Sequence, residues 1–502
     1  MAAASAPTLG ELAALLRSFQ PELCGEPSLT VLDVDQDSRS VGPGALFVAR
    51  RGGKLDGLRF VPDAVRRGAV AVMTDFDSVL PELPCPVLRV RDLPRALGFA
   101  AEAVHGYPSQ SLKVTGITGT NGKTTISWLV QRTLDELGVP CGRLGTLGFE
   151  FASRKDEGHL TTPLADGVSR SLGLMRRLGA THAAMEVSSA ALSQLRVEAL
   201  TFEVAALSNL THDHLDFHGS FEAYRAAKAR LFQELSPRFA VLNLDDEFGR
   251  WLSVNTRARV LTVGSQVGAD VSGAGLVAGS SGVSGTLSVF GKSVPLRTRF
   301  VGQHNAENLL VAFGIFSALG VDVEAAADAL AQIDPVPGRL ERCDGPNDDV
   351  VTLVDYAHTP DALERVLGAL RPLSSGQIIC VFGCGGDRDP AKRTPMGRAV
   401  GQAADYAIVT NDNPRTEDPE SIAEPIVAGL QQAGARFEVC LDRALAIERA
   451  VARAAAGDIV LLAGKGHETY QIMGSRSVPF DDRDQARLAL ARRRQRTRGA
   501  PA

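Results

Sequence analysis

Between residues 113 and 134 the chain reads as a strand, a glycine loop and a helix in direct succession, and few folds accommodate that order. Lys113-Val114-Thr115-Gly116-Ile117-Thr118 is strand-like, Gly119-Thr120-Asn121-Gly122-Lys123-Thr124-Thr125 is the loop, and Ile126 to Leu134 has the apolar spacing of a helix. In that context the loop turns backbone N–H groups toward a phosphate at a helix N-terminus, with Lys123 for the β/γ charge and Thr124 as a magnesium ligand. The loop is one residue longer than the common GxxxxGK[ST] form, since the position five before Gly122 is Ile117 and the glycine is Gly116. The sequence predicts a site for Mg-ATP in an α/β domain.

A chain of 502 residues exceeds one ordinary core and suggests about three domains. Residues 1–109 mix short apolar runs (45–48, 69–73) with turn-rich segments, as in a small α/β unit. Residues 110–336 hold the glycine loop and, between about Gly268 and Phe300, segments that suggest inserted β-hairpins. Residues 337–502 alternate strands (351–354, 378–382, 406–410, 459–463) with helical patterns, which predicts a mostly parallel, Rossmann-like sheet. Those strands run into polar or glycine-rich loops: Asp355 to His358, Gly383 to Asp389, Asn411 to Arg415 and Gly464 to Glu468. Open α/β sheets bind ligands outside the carboxyl ends of their strands, so this section carries a second polar binding edge.

A formal net charge of −5 argues against nucleic-acid binding, which needs a concentrated basic surface. The one basic run, Arg492 to Arg496, reads as a solvated tail. No run approaches the roughly 18–20 apolar residues of a spanning helix, and the N-terminus lacks a signal-peptide pattern. A cytoplasmic protein without membrane insertion, acting as a monomer on small molecules, is expected. The seven cysteines form no CxxC pair, so neither a disulfide framework nor a zinc site is indicated, and Cys380 reads as a core thiol.

Three further features carry chemistry. Glu186 follows an apolar strand-like stretch and would project from a strand end toward the loop, as a magnesium ligand or its support. His212-Asp213-His214-Leu215-Asp216-Phe217-His218 packs three His and two Asp into seven residues, which favours metal or phosphoryl chemistry over chance. Lys228 lies on the apolar face marked by Phe221, Tyr224, Leu231 and Phe232, where a lysine must snorkel, pair or be chemically altered; snorkelling is the ordinary outcome.

Together these residues resemble the Mur ligase superfamily over nearly the whole chain. The resemblance implies an ATP loop at Gly119 to Thr125 and an N-terminal domain that binds a UDP-sugar nucleotide. It also implies magnesium ligands at Thr124, Glu186 and His214, and a carbamylated Lys228, an N6-carboxylysine that ligates the metal. Ser38 resembles the uridine-nucleotide contact, and Thr161, Thr162, Ser188, Gln194 and Arg196 resemble contacts to the muramoyl dipeptide. Asn308 resembles the adenine contact, with Arg339 and Asp355 completing the nucleotide site. One departure stands out: the family commonly has His after the two serines, and position 190 is Ala190.

The third-section motifs resemble those of the family members that add diaminopimelate to UDP-N-acetylmuramoyl-L-alanyl-D-glutamate in peptidoglycan precursor synthesis. Diaminopimelate carries a far carboxylate that lysine and ornithine lack, and a guanidinium suits it. Arg415, in Asp412-Asn413-Pro414-Arg415, supplies one; Asp412, Asn413 and Glu468 offer acceptors for ammonium groups, Arg388 could hold the near carboxylate, and Gly464 opens the last loop. The implied reaction is ATP-driven amide formation through an acyl phosphate. Lysine or ornithine as the added amino acid, and a folylpolyglutamate-synthetase-like ligase, are the alternatives.

Overall fold

The computed structural model describes residues 6–50, 56–78, 83–158, 160–213, 215–279 and 281–499. Three sheets organise them. A five-stranded sheet runs in the order Glu22–Cys24, Val87–Val90, Ala69–Asp75, Ala45–Val48, Asp33–Asp35, parallel except for its first strand. Leu46, Val48, Ala71, Met73 and Leu88 form its core against the helix Leu93–Val104.

The second sheet has eleven strands. Its parallel heart is ordered Arg259–Gly264, Phe239–Asn243, Val204–Leu207, Lys113–Thr118, His182–Glu186, Cys141–Gly145. Lys113–Thr118 is therefore a central strand, buried on both faces from Val114 onward, and the glycine loop leaves its carboxyl end for the helix Lys123–Glu136. The antiparallel strands Gly148–Phe151 and Arg154–Asp156 extend one side, and Val271–Gly279, Gly282–Val289 and Lys292–Arg297 the other. The expected hairpin region is thus part of the main sheet.

The third sheet is ordered Glu341–Arg342, Val351–Asp355, Ile459–Ala463, Ile378–Phe382, Tyr406–Val409, Phe437–Val439, all parallel except its first strand. The four strands expected from sequence are its centre, where uninterrupted apolar runs mark two-sided burial. A separate hairpin, Tyr470–Met473 with Arg476–Pro479, was not legible in advance. By contacts the chain forms two compact units: residues 1–276, 285–297 and 307–333, and residues 277–284, 298–306 and 334–502.

The basic run is not a solvated tail. It lies on the helix Asp482–Gly499, where Arg492 and Arg496 pair with Glu448, Arg493 with Asp349 and Arg494 with Asp348. The acids that dock it lie more than forty residues away in sequence, out of reach of a composition argument. Cys380 is a core thiol as expected, fully buried, and burial raises its pKa.

Candidate active site

Gly119 and Gly122 hold φ of +145° and +86°, and neither tolerates a side chain. A Cβ on Gly119 would stand 1.9 Å from Ser208 Oγ, and one on Gly122 2.2 Å from Asn308 Oδ1. The loop is fixed from outside: Thr120 N donates to Asn209 O at 2.8 Å, Asn121 N to Asn209 Oδ1 at 3.0 Å, and the Thr120 hydroxyl lies 3.0 Å from the Tyr224 hydroxyl. Lys123 Nζ folds back to donate to Gly119 O and Thr120 O, each at 2.9 Å. Thr125 is buried behind it. Ser208 and Asn209 carried no sequence signal, because their role depends on the strand Val204–Leu207 lying beside the loop strand.

Glu186 ends its strand buried beside the loop, as expected. Its carboxylate accepts the Thr124 hydroxyl at 2.9 Å, the Thr146 N–H at 2.8 Å and the Thr146 hydroxyl at 3.0 Å. Gly145 makes room, since a Cβ there would lie 2.1 Å from Glu186 Oε1. Lys228 does not snorkel: it is 1% exposed, donates to Gly119 O at 2.8 Å and lies 4.6 Å from the Tyr224 ring centroid. Burial first, then the Lys123 charge, push its pKa well below the usual lysine range, with Asp213 pulling the other way. The helix Phe221–Gln233 aims Lys228 inward because Lys228 shares the buried face with Tyr224 and Leu231.

Of the histidine cluster, His214 lies outside the described residues. His212 stacks on Phe221, and His218 Nε2 is 2.9 Å from Ser189 Oγ. These two are placed for packing and hydrogen bonding. Among the described residues no group of three or more His, Cys, Asp or Glu is placed to hold a metal. The hydroxyl of Thr124 and the carboxylate of Glu186 are nevertheless hard oxygen donors of the kind magnesium takes.

The dipeptide candidates gather around Glu186. Thr162 Oγ1 donates to Glu186 O at 2.8 Å and accepts Ser188 N–H at 3.0 Å, while Thr161 Oγ1 is 3.3 Å from Thr146 Oγ1. Ser188 caps the short helix Ser189–Ser193. Arg196 donates to Thr162 O at 2.7 Å and grips Gln194 Oε1; burial first, then the nearby Arg50 charge, lowers its pKa. Ser38 is buried on the turn after Asp33–Asp35, where Gln36 joins Arg50 at 3.2 Å to Asp166 at 2.7 Å. Arg50 and Gln36 are additional candidates that sequence alone did not single out.

Asn308 belongs to the first compact unit, Arg339 and Asp355 to the second. Asp355 accepts Leu340 N–H and Ala357 N–H, both at 2.8 Å, and Arg339 lies 4.7 Å from the Tyr356 ring centroid. At the carboxyl edge of the third sheet, Asp412, Arg415, Gly464 and Glu468 come together. Gly464 (φ +116°) leaves the space that Asp412 occupies, a Cβ there meeting Asp412 Oδ2 at 2.6 Å. Pro414 is buried, and Arg415 holds φ +54° with Nη1 donating to Gly386 O at 2.8 Å. Arg388 stands exposed near Asp387.

Asn413 is tied to its neighbours by both side-chain atoms. It is 2% exposed; its Oδ1 accepts Ile472 N–H at 2.9 Å and Lys465 Nζ at 3.4 Å, and its Nδ2 donates to Glu468 at 2.8 Å. Its side-chain carbonyl thus accepts from two groups of the protein, as Glu468 Oε2 also does. Lys465, wholly buried, also reaches Glu468 Oε2 at 3.1 Å.

Family models match three stretches: the Mur ligase family catalytic domain at residues 33–105, the Mur ligase middle domain at 117–316, and the Mur ligase glutamate ligase domain at 338–466. The chain belongs to the Mur ligase family. A protein of Gloeobacter violaceus named UDP-N-acetylmuramoyl-L-alanyl-D-glutamate–2,6-diaminopimelate ligase is 43% identical to this Mur ligase, over 94% of this chain and 96% of its own. One of the same name from Synechococcus elongatus is 44% identical over 93% and 95%. A solved structure of a ligase of that name superposes with a TM-score of 0.70 at 34% identity, over 97% of this chain and 99% of its own. The fold is α/β with three Mur ligase domains, and the protein is an ATP-dependent ligase. Among the described residues no helix is long and apolar enough to cross a membrane.

Proposed function

We propose that this Mur ligase joins meso-diaminopimelate to the D-glutamate of UDP-N-acetylmuramoyl-L-alanyl-D-glutamate, using ATP, in peptidoglycan precursor synthesis. The observation that carries the substrate choice is Arg415, half-buried at the sheet edge with its guanidinium held by Gly386 O, with relatives above 40% identity over nearly the full length named for this activity. Residues 1–109 would bind the UDP moiety, 110–336 ATP, and 337–502 the incoming amino acid. All these residues are on one chain, so a monomer suffices.

In this reading the backbone N–H groups of Gly119 to Thr125 cradle the ATP phosphates and Lys123 leaves the carbonyls of Gly119 and Thr120 to meet the γ-phosphate. Asn308 on the first unit, and Arg339 and Asp355 on the second, are the nucleoside candidates. Ser38 holds the uridine end of the other substrate, while Thr161, Thr162, Ser188, Gln194 and Arg196 orient the dipeptide so that the side-chain carboxylate of its D-glutamate meets the γ-phosphate in line. Attack gives an acyl phosphate and ADP; the amine of diaminopimelate then attacks the acyl carbon, forms the amide and releases phosphate. Magnesium held by Thr124, Glu186, His214 and the carbamate of Lys228 would neutralise charge developing on the phosphates. Arg415 receives the far carboxylate, Asp412, Asn413 and Glu468 the ammonium groups, and Arg388 the near carboxylate.

The test is phosphate release with UDP-N-acetylmuramoyl-L-alanyl-D-glutamate, ATP and, in turn, diaminopimelate, lysine or ornithine. Turnover restricted to diaminopimelate is expected, and Arg415→Leu should lower kcat/KM by about 10²–10³-fold, the loss of a charge-assisted contact. No turnover with any amino acid sinks the ligase substrate assignment, and preference for lysine sinks the role of Arg415.

A further inference from the structure

The turn that carries Arg415 is gripped by the small hairpin that follows Gly464 to Glu468. Gln471, on the strand Tyr470–Met473, donates its side-chain Nε2 to Asp412 O at 2.7 Å. The next residue, Ile472, donates its N–H to Asn413 Oδ1 at 2.9 Å and accepts Arg415 N–H at 3.1 Å. Gly474 N–H then donates to Arg415 O at 2.7 Å. Four hydrogen bonds to three hairpin residues, Gln471, Ile472 and Gly474, therefore bind a four-residue turn at its first, second and last members.

The turn needs such a hold. Arg415 occupies the left-handed region, where a residue with a side chain is rare and costs about 1–2 kcal/mol. Strain of that kind persists only where surrounding contacts over-determine it. Bonding both the N–H and the C=O of Arg415 to the hairpin fixes its peptide planes, and with them the direction in which the side chain leaves the turn. Two glycines opposite complete the fit: a Cβ on Gly386 would lie 1.9 Å from Pro414 O, and one on Gly385 2.9 Å from Arg415 Nη1. Gln471 is 8% exposed, and of the four bonds its own is the only one made by a hairpin side chain, so a side-chain change on the hairpin can remove it.

We propose that the strand Tyr470–Met473 is a template for amino-acid selection and that Gln471 is its positioning residue, acting through the Asp412 to Arg415 turn to aim the Arg415 guanidinium. The inference rests on the reading of Arg415 as the contact for the far carboxylate of the added amino acid. Gln471→Met removes the donor at nearly constant volume. It should raise KM for diaminopimelate about tenfold and leave kcat and the KM values for ATP and the UDP-linked substrate within about twofold. In the Arg415→Leu background the same change should cost less than about twofold, because two residues that act through one contact are not additive. Gln471→Glu regains a donor only when protonated, so its KM for diaminopimelate should fall as pH is lowered, relative to wild type, while that of Gln471→Met should not.

Equal losses in the wild-type and Arg415→Leu backgrounds, or a rise in KM for ATP as large as that for diaminopimelate, would overturn the proposal and leave Gln471 a structural residue. If Gln471→Met does not fold, the Gln471→Glu pH profile decides alone: an unshifted profile overturns the proposal. Failure of the underlying reading is separate, because it shows in the wild type as preference for lysine or ornithine, whatever the variants do.

Discussion

The sharpest test of how the amino-acid edge is built is the removal of Arg443. Arg443 and Asp482 are both 0% exposed. The guanidinium makes two bonds to the carboxylate, at 2.7 and 2.6 Å, and two to main-chain carbonyls, Asn411 O at 3.2 Å and Ala463 O at 3.0 Å. Those carbonyls precede Asp412 and Gly464, so one buried side chain ties together the two loops of the proposed pocket and anchors both to the C-terminal helix. Arg443→Met strands a carboxylate without solvent or partner, which costs about 3–5 kcal/mol. For a domain of 150–250 residues about 2–4 °C of melting temperature goes with each kcal/mol, so the transition of this domain should fall by about 6–20 °C in differential scanning calorimetry. Pairing Arg443→Met with Asp482→Leu removes both charges and should recover most of that loss, to within about 1.5 kcal/mol of wild type. A single variant that loses less than about 1 kcal/mol, or a double variant that loses the sum of the two singles, would refute the reasoning.

Other outcomes follow from the same geometry. Gly145→Ala forces Glu186 Oε1 away from a methyl that would otherwise stand 2.1 Å from it; kcat should drop about 10²-fold, the scale of a displaced catalytic group, with the melting temperature little changed, and retention of full kcat would show that Glu186 is not needed where it stands. Lys228 should give a carbamate carbonyl resonance when the protein is equilibrated with ¹³C-bicarbonate, and Lys228→Met should abolish both that resonance and turnover. Glu150 is held at about pKa 2 because hydrogen bonds from Lys155 and Arg143 and the Arg132 charge outweigh its burial, which alone would raise it. A depressed carboxyl stabilises the fold above its ordinary value of 4.5 and loses that contribution as pH falls toward 2. In urea titrations the stability gap between wild type and Glu150→Gln should therefore be full at neutral pH and close across that window.

The same contrast between local and distant partners separates what was legible in advance from what was not. The loop Gly119 to Thr125, the helix carrying Lys228 and the central strands at 351–355, 378–382 and 459–463 could be read from sequence, because glycine spacing and apolar periodicity are short-range properties of the chain. The same local logic failed for Lys228, whose snorkelling depends on where water lies, and for Arg492 to Arg496, whose partners Asp348, Asp349 and Glu448 are distant in sequence. The amino-acid sequence by itself determined which groups could bind phosphate and which strands would be buried. Tertiary structure alone decided which polar atoms remain available: the hairpin and Lys465 take up Asn413, Thr146 and Gly145 set Glu186, and Gln471 holds the turn of Arg415. The physical reason is that a buried hydrogen-bonding group must be satisfied by whatever the fold brings beside it, and that neighbour is seldom close in sequence.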